Sequence, residues 1–184
     1  MTTATLHTQA PADLKAIAVR SMQIMATGTF EDFEAVIHPD FVNHEAKDEP
    51  PESRGRGPRP AYATAMWLRA AFHDLAFQVH TVVCEDDLVV VHNTMTGLHA
   101  GLFVTFDENA EVAEVFPPTH KRFASTQTHW LRIADSKLVE HWANRDDMAT
   151  ALQLGWAPPT PLYLVRMALA KRRERRRYAG QSRP

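Results

Sequence analysis

The strongest constraint on the fold is a change of hydrophobic period near residue 72. Before it, apolar side chains recur at helical spacing. Leu14, Ile17, Ala18, Met22 and Met25 mark a helix over 12–26. Thr27-Gly28-Thr29 should end it, with Gly28 suited to a left-handed stop. A short helix is expected over 30–37, broken where His38 precedes Pro39, then a short strand at Phe41-Val42-Asn43-His44. Tyr62, Ala65, Met66, Arg69 and Phe72 give a helix over 61–72. Beyond it, Val-, Phe- and Thr-rich runs flank turns at Glu85-Asp86-Asp87 and Asp135-Ser136. They read as hairpins at 75–96 and 122–145. A short helix over 147–154 is stopped by Gly155. Helices followed by antiparallel strands is an α+β order, not alternating α/β. The expected architecture is a cone-shaped, curved antiparallel sheet wrapped on the N-terminal helices, with a mouth. Segments 45–60 and 99–120 are expected as loops, the first polar, with four prolines, and either a lid or disordered.

A chain of 184 residues with 45% apolar content fits one domain. No apolar run approaches the ~20 residues a membrane span needs. Residues 1–11 carry no basic segment followed by an apolar one, so no secretory signal is expected, and this stretch is read as disordered. The single Cys84 excludes an intrachain disulfide and suits a reducing, cytoplasmic setting. It closes an apolar run and reads as a core thiol. Residues 1–165 carry 12 Lys and Arg against 21 Asp and Glu, a net of −9. Residues 166–184 carry eight against one, a net of +7. An acidic body argues against nucleic acid as a partner. The domain is placed at 12–157. A Pro-rich link and a basic helix or tail follow at 158–184, expected to dock on the body or on a second copy. Contact of the tail with anionic lipid is the less favoured reading.

The second hairpin carries the candidate chemistry. With the turn centred on Asp135-Ser136, Ile133 faces Leu138, Trp142 faces His129, Asn144 faces Gln127 and Asp146 faces Ser125. Ser125, Gln127, His129, Asn144 and Asp146 then form one polar stripe beside Trp142 and Leu131. The opposite face carries Trp130, His141, Thr128, Ala143 and Arg145. His, Gln, Asn and Asp beside Trp suit a pocket with a few placed polar groups, while a solvated polar stripe is the plainer alternative. His44, Asn43 and Trp67 are added as candidate pocket residues. Ten histidines show no His-x-x-x-His or Cys-x-x-Cys spacing, so no metal site is expected. No glycine-rich phosphate loop or serine elbow occurs, and no cofactor is expected.

Several stretches, in this order, resemble one family. They are Phe41-Val42-Asn43-His44-Glu45, Ala71-Phe72-His73-Asp74-Leu75, Glu85 to Val91, Thr94 to His99, Pro117-Pro118-Thr119, Glu140 to Asp146, and Gln153-Leu154-Gly155. The chain resembles the SnoaL-like polyketide cyclases over about 14–158. The resemblance implies the cone-shaped α+β barrel shared with ketosteroid isomerase, and often a homodimer. It implies intramolecular aldol ring closure without metal or cofactor, on a small hydrophobic or polyphenolic ligand. It places the acid/base aspartate at Asp146, at the end of the last long strand. The sequence departs from the family at His73, His92 and Ser136, and in a longer, more acidic segment from Phe103 to Val115.

Such chemistry needs a carboxylate ionised yet partly desolvated, with donors for the developing enolate oxygen. His129, Asn144 and Gln127 are the candidates for that second role. Against catalysis, Asp146 reads as a helix N-cap, although Asp147 is better placed for it. Two alternatives remain at this level. One is a catalytically silent module for a small ligand. The other is a dehydratase, isomerase or hydrolase acting on a small cyclic substrate.

Overall fold

The protein is described from a computed structural model covering residues 10–181. Two helices, α1 (Pro11–Thr27) and α2 (Phe30–Val36), lead into β1 (Ile37–Asn43). A 3₁₀ turn at Pro51–Ser53 precedes α3 (Pro58–Ala71). Then come the long strands β2 (Phe72–Glu85) and β3 (Leu88–His99), and the small pair β4 (Phe103–Phe106) and β5 (Val112–Phe116). The chain continues with β6 (Arg122–Ala134), β7 (Lys137–Arg145), α4 (Asp147–Leu154) and α5 (Pro161–Gln181). The expected disorder of 1–11 falls mostly outside the described residues. The part inside them, Ala10 and Pro11, caps and starts α1.

The main sheet runs β1-β7-β6-β3-β2. Its pairs are antiparallel except the edge pair β1–β7, which is parallel. Pairing shifts in β2–β3, between His73 and Ala76 and between Val79 and Thr81, bend the sheet. The curved sheet wraps the helices as expected. Its concave face meets α1, α2 and α3 in a core of Ala18, Ile24, Phe33, Ala65, Val89, Val91 and Leu131, all fully buried. One detail here differs from expectation. Gly28 is extended (φ −65°), so it is not a left-handed stop. A Cβ there would lie 2.6 Å from that of Ile24, so space is what demands glycine. The carbonyls at the end of α1 are instead taken by Arg69 of α3, which donates to Ile24, Met25 and Gly28. At α2 a capping box between Thr29 and Asp32 sets the start.

The segment 99–120 is not a plain loop. It folds into the β4–β5 ribbon, whose two faces have different tasks. Phe103 and Phe116 point to the interior of the cone, and Val104, Phe106, Val112 and Val115 pack outward. The basic helix α5 covers that outer face. Ala170 and Tyr178 pack on it, Lys171 pairs with Glu114 at 2.8 Å, and Arg175 donates to the Val112 carbonyl. Tyr163 is buried and donates to the Pro117 carbonyl at 2.9 Å. Among the described residues no helix is long and apolar enough to cross a membrane.

A two-stranded ribbon alone is marginal in water. Truncation after Pro161 is therefore expected to lower the melting temperature by several degrees and to raise binding of a hydrophobic dye. Unchanged melting would show that α5 adds nothing to the ribbon.

Candidate active site

The concave face and the helices enclose a cavity of about 360 Å³. Met22, Phe33, Phe41, Phe77, Leu131 and Leu138 line its interior, and Trp67, Phe72, Phe103, Phe116 and Trp156 form an aromatic wall. Trp67 stacks on Phe103 and fixes itself by donating to the Val104 carbonyl at 2.8 Å. The exposed Asp48 and Asp147, with the half-buried side chain of Arg145, mark where the cavity meets solvent.

The β6–β7 register decides which polar groups look inward. Ile133 pairs with Leu138 as expected, but Arg132 pairs with Glu140, so Val139 is an extra residue. Every pair beyond it is displaced by one. His129 faces Ala143, Leu131 faces His141, and Gln127 faces Arg145. The expected pairing of Trp142 with His129 and of Asn144 with Gln127 is thus corrected. His129 and Gln127 look inward, and from β7 it is His141 and Arg145 that join them. Trp142 and Asn144 lie on the outer face, where Trp130 donates to Asn144 and the exposed His44 stacks flat on Trp142 at 4.7 Å. Ser125 is buried but holds the Asp146 carbonyl rather than lining the cavity.

Of the expected residues, Asn43, Trp67, Gln127 and His129 line the cavity. His44, Ser125, Trp142, Asn144 and Asp146 do not. Asp146, not Asp147, is the N-cap of α4, its Oδ1 accepting from the Ala149 amide at 2.9 Å. Of these two neighbours it is Asp147 that lines the mouth, with three quarters of its side chain still exposed. Partial desolvation pushes its carboxyl up, opposed by Arg145.

Two residues with no evident sequence signal complete the interior. His141 sits on the face that a bulge-free hairpin turns outward. Glu49 lies in the 45–60 segment, where a charged residue among prolines reads as solvated. Here it is 3% exposed and lines the cavity. The segment is pinned by Arg54, whose guanidinium donates to the carbonyls of Lys47, Glu49, Asp107 and Glu108.

These groups form a continuous chain. Thr64 and Glu49 share a hydrogen bond, and Asn43 Nδ2 donates to Glu49 Oε1 at 3.3 Å. Asn43 Oδ1 accepts the Glu45 amide at 3.1 Å, which fixes the orientation of its carboxamide. His141 Nδ1 lies 2.9 Å from the same oxygen and must carry the proton. His141 Nε2 is then an acceptor and receives Nδ1–H of His129 at 2.8 Å. His129 Nε2 is left as an acceptor, 2.9 Å from the carboxamide of Gln127, which must turn its NH₂ toward the ring. Burial, then the charge of Arg145, holds His129 down at about 4. Burial chiefly, with His129, Arg145 and His44, keeps His141 well below the usual range. Burial pushes Glu49 up to about 7, against the hydrogen bonds of Thr64 and Asn43. Among the described residues no group of three or more His, Cys, Asp or Glu is arranged to hold a metal.

A cone of this kind, with one deep apolar cavity and a buried polar chain along its wall, defines a protein built to enclose a small organic molecule. The chain belongs to the SnoaL-like polyketide cyclases, whose family profile matches residues 16–154. It is 31% identical over 144 residues to the aklanonic acid methyl ester cyclase of Streptomyces peucetius, covering 77% of this chain and 90% of that one. It is 30% identical over 131 residues to the nogalonic acid methyl ester cyclase of Streptomyces nogalater, covering 70% and 87%. The structure of TsrD from Streptomyces laurentii superposes with a TM-score of 0.64 at 19% identity, over 80% of this chain and 98% of that one. A SnoaL-like polyketide cyclase from Agrobacterium tumefaciens does so at 0.58 and 14%, over 77% and 98%.

The buried groups have opposite pH signatures. Both imidazoles bind protons more readily unfolded, so their share of stability is full above 6.5 and is lost as pH falls, for His129 through about 4. Glu49 binds its proton more tightly folded, so its share is full below 4.5 and is lost as pH rises through about 7. Denaturant unfolding should therefore peak between these limits. Glu49→Gln should flatten the alkaline side, by on the order of 3 kcal/mol at pH 8. An unaltered alkaline slope would refute the buried carboxyl.

Proposed function

We propose that the protein closes a ring of a polyketide methyl ester by intramolecular aldol condensation, using acid/base chemistry of its own side chains. The observation that carries this is the enclosed apolar cavity with one hydrogen-bonded polar chain, Thr64–Glu49–Asn43–His141–His129–Gln127, along its wall. The names of the two cyclase relatives supply the methyl ester and the ring closure. A carboxylate removes the proton α to a carbonyl. The enolate carbon attacks a ketone of the same molecule, and the alkoxide formed is protonated. At the far end of the chain the Gln127 carboxamide, with one N–H held by His129, has its second N–H to donate to the enolate oxygen, in surroundings that keep both imidazoles neutral.

Proton abstraction is assigned to Asp146, by its place four residues after Trp142 in the family-like segment. Its carboxylate caps α4, so catalysis requires it to turn from the Ala149 amide toward the mouth. This makes the test sharp, because asparagine caps a helix as well as aspartate does. Asp146→Asn is expected to keep its melting temperature and lose roughly 10²–10⁴-fold in turnover of aklanonic acid methyl ester, followed by chromatography. Asp146→Ala should lose the rate and also about 1 kcal/mol of stability. Asp147→Asn is the comparison. A larger loss there than in Asp146→Asn transfers the role to Asp147. A wild-type protein that binds the ester without converting it is a binding module.

A further inference from the structure

We propose that Glu49 is a second acid/base group of the cavity, the carboxylic acid that protonates the alkoxide formed on ring closure. The inference rests on the cyclase reading above. Three observations support it. Glu49 lines the cavity yet is almost wholly buried, on a segment held rigidly by Arg54. It is buried in the interior on the segment after β1, whereas Asp146 and Asp147 are exposed at the end of β7, so one catalytic cycle has a base and an acid on different elements. Its partners also suit both protonation states. With Glu49 ionised, the Thr64 hydroxyl and Asn43 Nδ2 donate to it. With Glu49 protonated, its O–H can donate to Thr64 Oγ1, whose own proton turns to the Pro60 carbonyl at 3.3 Å. Neither state leaves a donor unmatched, which is what a reversible proton donor needs. Burial is what favours the acid form.

The charged and titratable groups facing Glu49 are few. Asp48 of its own segment favours the acid form, and Arg145 of β7 opposes it. Arg54 binds the Glu49 carbonyl, not the carboxyl. His141 and His129, reached through Asn43, stay neutral. The protons balance. The aspartate takes the α-proton, the carbon–carbon bond forms as the ketone π bond opens, and Glu49 gives its proton to the new oxygen. On product release the aspartate returns one proton to water and Glu49 takes one back. The reaction is an isomerisation and needs no co-reactant.

The test uses the full chain labelled with ¹³C at the glutamate carboxyls, with Glu49→Gln identifying the resonance. The expected midpoint is near 7, and a midpoint in the ordinary range near 4.5 overturns the proposal. With aklanonic acid methyl ester as probe, wild-type kcat should fall above that midpoint. Glu49→Gln should lose roughly 10²–10⁴-fold and the alkaline limb with it. Thr64→Val removes a hydrogen bond that favours the ionised form. It should move both the resonance midpoint and the alkaline limb upward, which also serves if Glu49→Gln fails to fold. A folded Glu49→Gln with wild-type rate and pH profile overturns the role of Glu49 and leaves the cyclase reading standing. A wild type that does not convert the ester overturns the cyclase reading, and the catalytic role of Glu49 with it.

Discussion

One surplus residue, Val139, sets the chemistry of the interior. Leu138 and His141 both line the cavity, although they are three apart in one strand. Alternation would put them on opposite faces, and only the bulge lets both look inward. Leu138 continues the apolar core laid down by α1 and α2. His141 begins the polar chain that crosses to β1 and the segment behind it. Moving the surplus residue would turn Trp142 and Asn144 inward and expel His141 and Arg145. The Asn43–His141–His129 contacts that tie strand to strand would then be lost.

The element order was legible because each piece announces its own period or stop. α1, α2, α4 and both long hairpins follow apolar spacing, capping chemistry and turn residues that act within a few positions. The pairing of β6 with β7 was legible only over its first two pairs beyond the turn, Ala134–Lys137 and Ile133–Leu138. A bulge is chosen by what both strands pack against, and nothing in Lys137-Leu138-Val139-Glu140 marks it. The face of β6 could be read from Leu131, His129 and Gln127, since the bulge lies on its partner. β4 and β5 were missed because their outward apolar residues are covered by α5, a helix some 50 residues later, so the strand pattern lacks a polar side. Glu49 was missed for a related reason. Its burial comes from Arg54 collecting four carbonyls, a tertiary event.

The polar chain is consistent with its low-dielectric surroundings. Each buried polar group from Thr64 to Gln127 has a partner, which is the condition for a buried network to be tolerated. The backbone amide of Glu45, through Asn43, gives the chain a direction. From His129 to Asn43 each N–H points toward Glu49, so the acceptor character of the whole chain collects at one carboxyl. The rim is built differently. Arg145 stands 3.7 Å from Asp147 and 4.0 Å from Glu45, in pairs loose and wet enough to rearrange. The cone thus holds a dry, oriented interior beneath a hydrated, adaptable opening.

The β4–β5 ribbon separates two environments only two strands wide. Phe103 and Phe116 give the cavity part of its aromatic wall, and the alternate residues need α5 behind them. The capacity of the chamber is therefore governed partly by a helix that never touches its contents. Lengthening, shortening or reseating a C-terminal extension would retune what the chamber admits while every lining residue stayed the same. A lineage could then change its preferred guest through drift in its tail, where substitutions cost the core least.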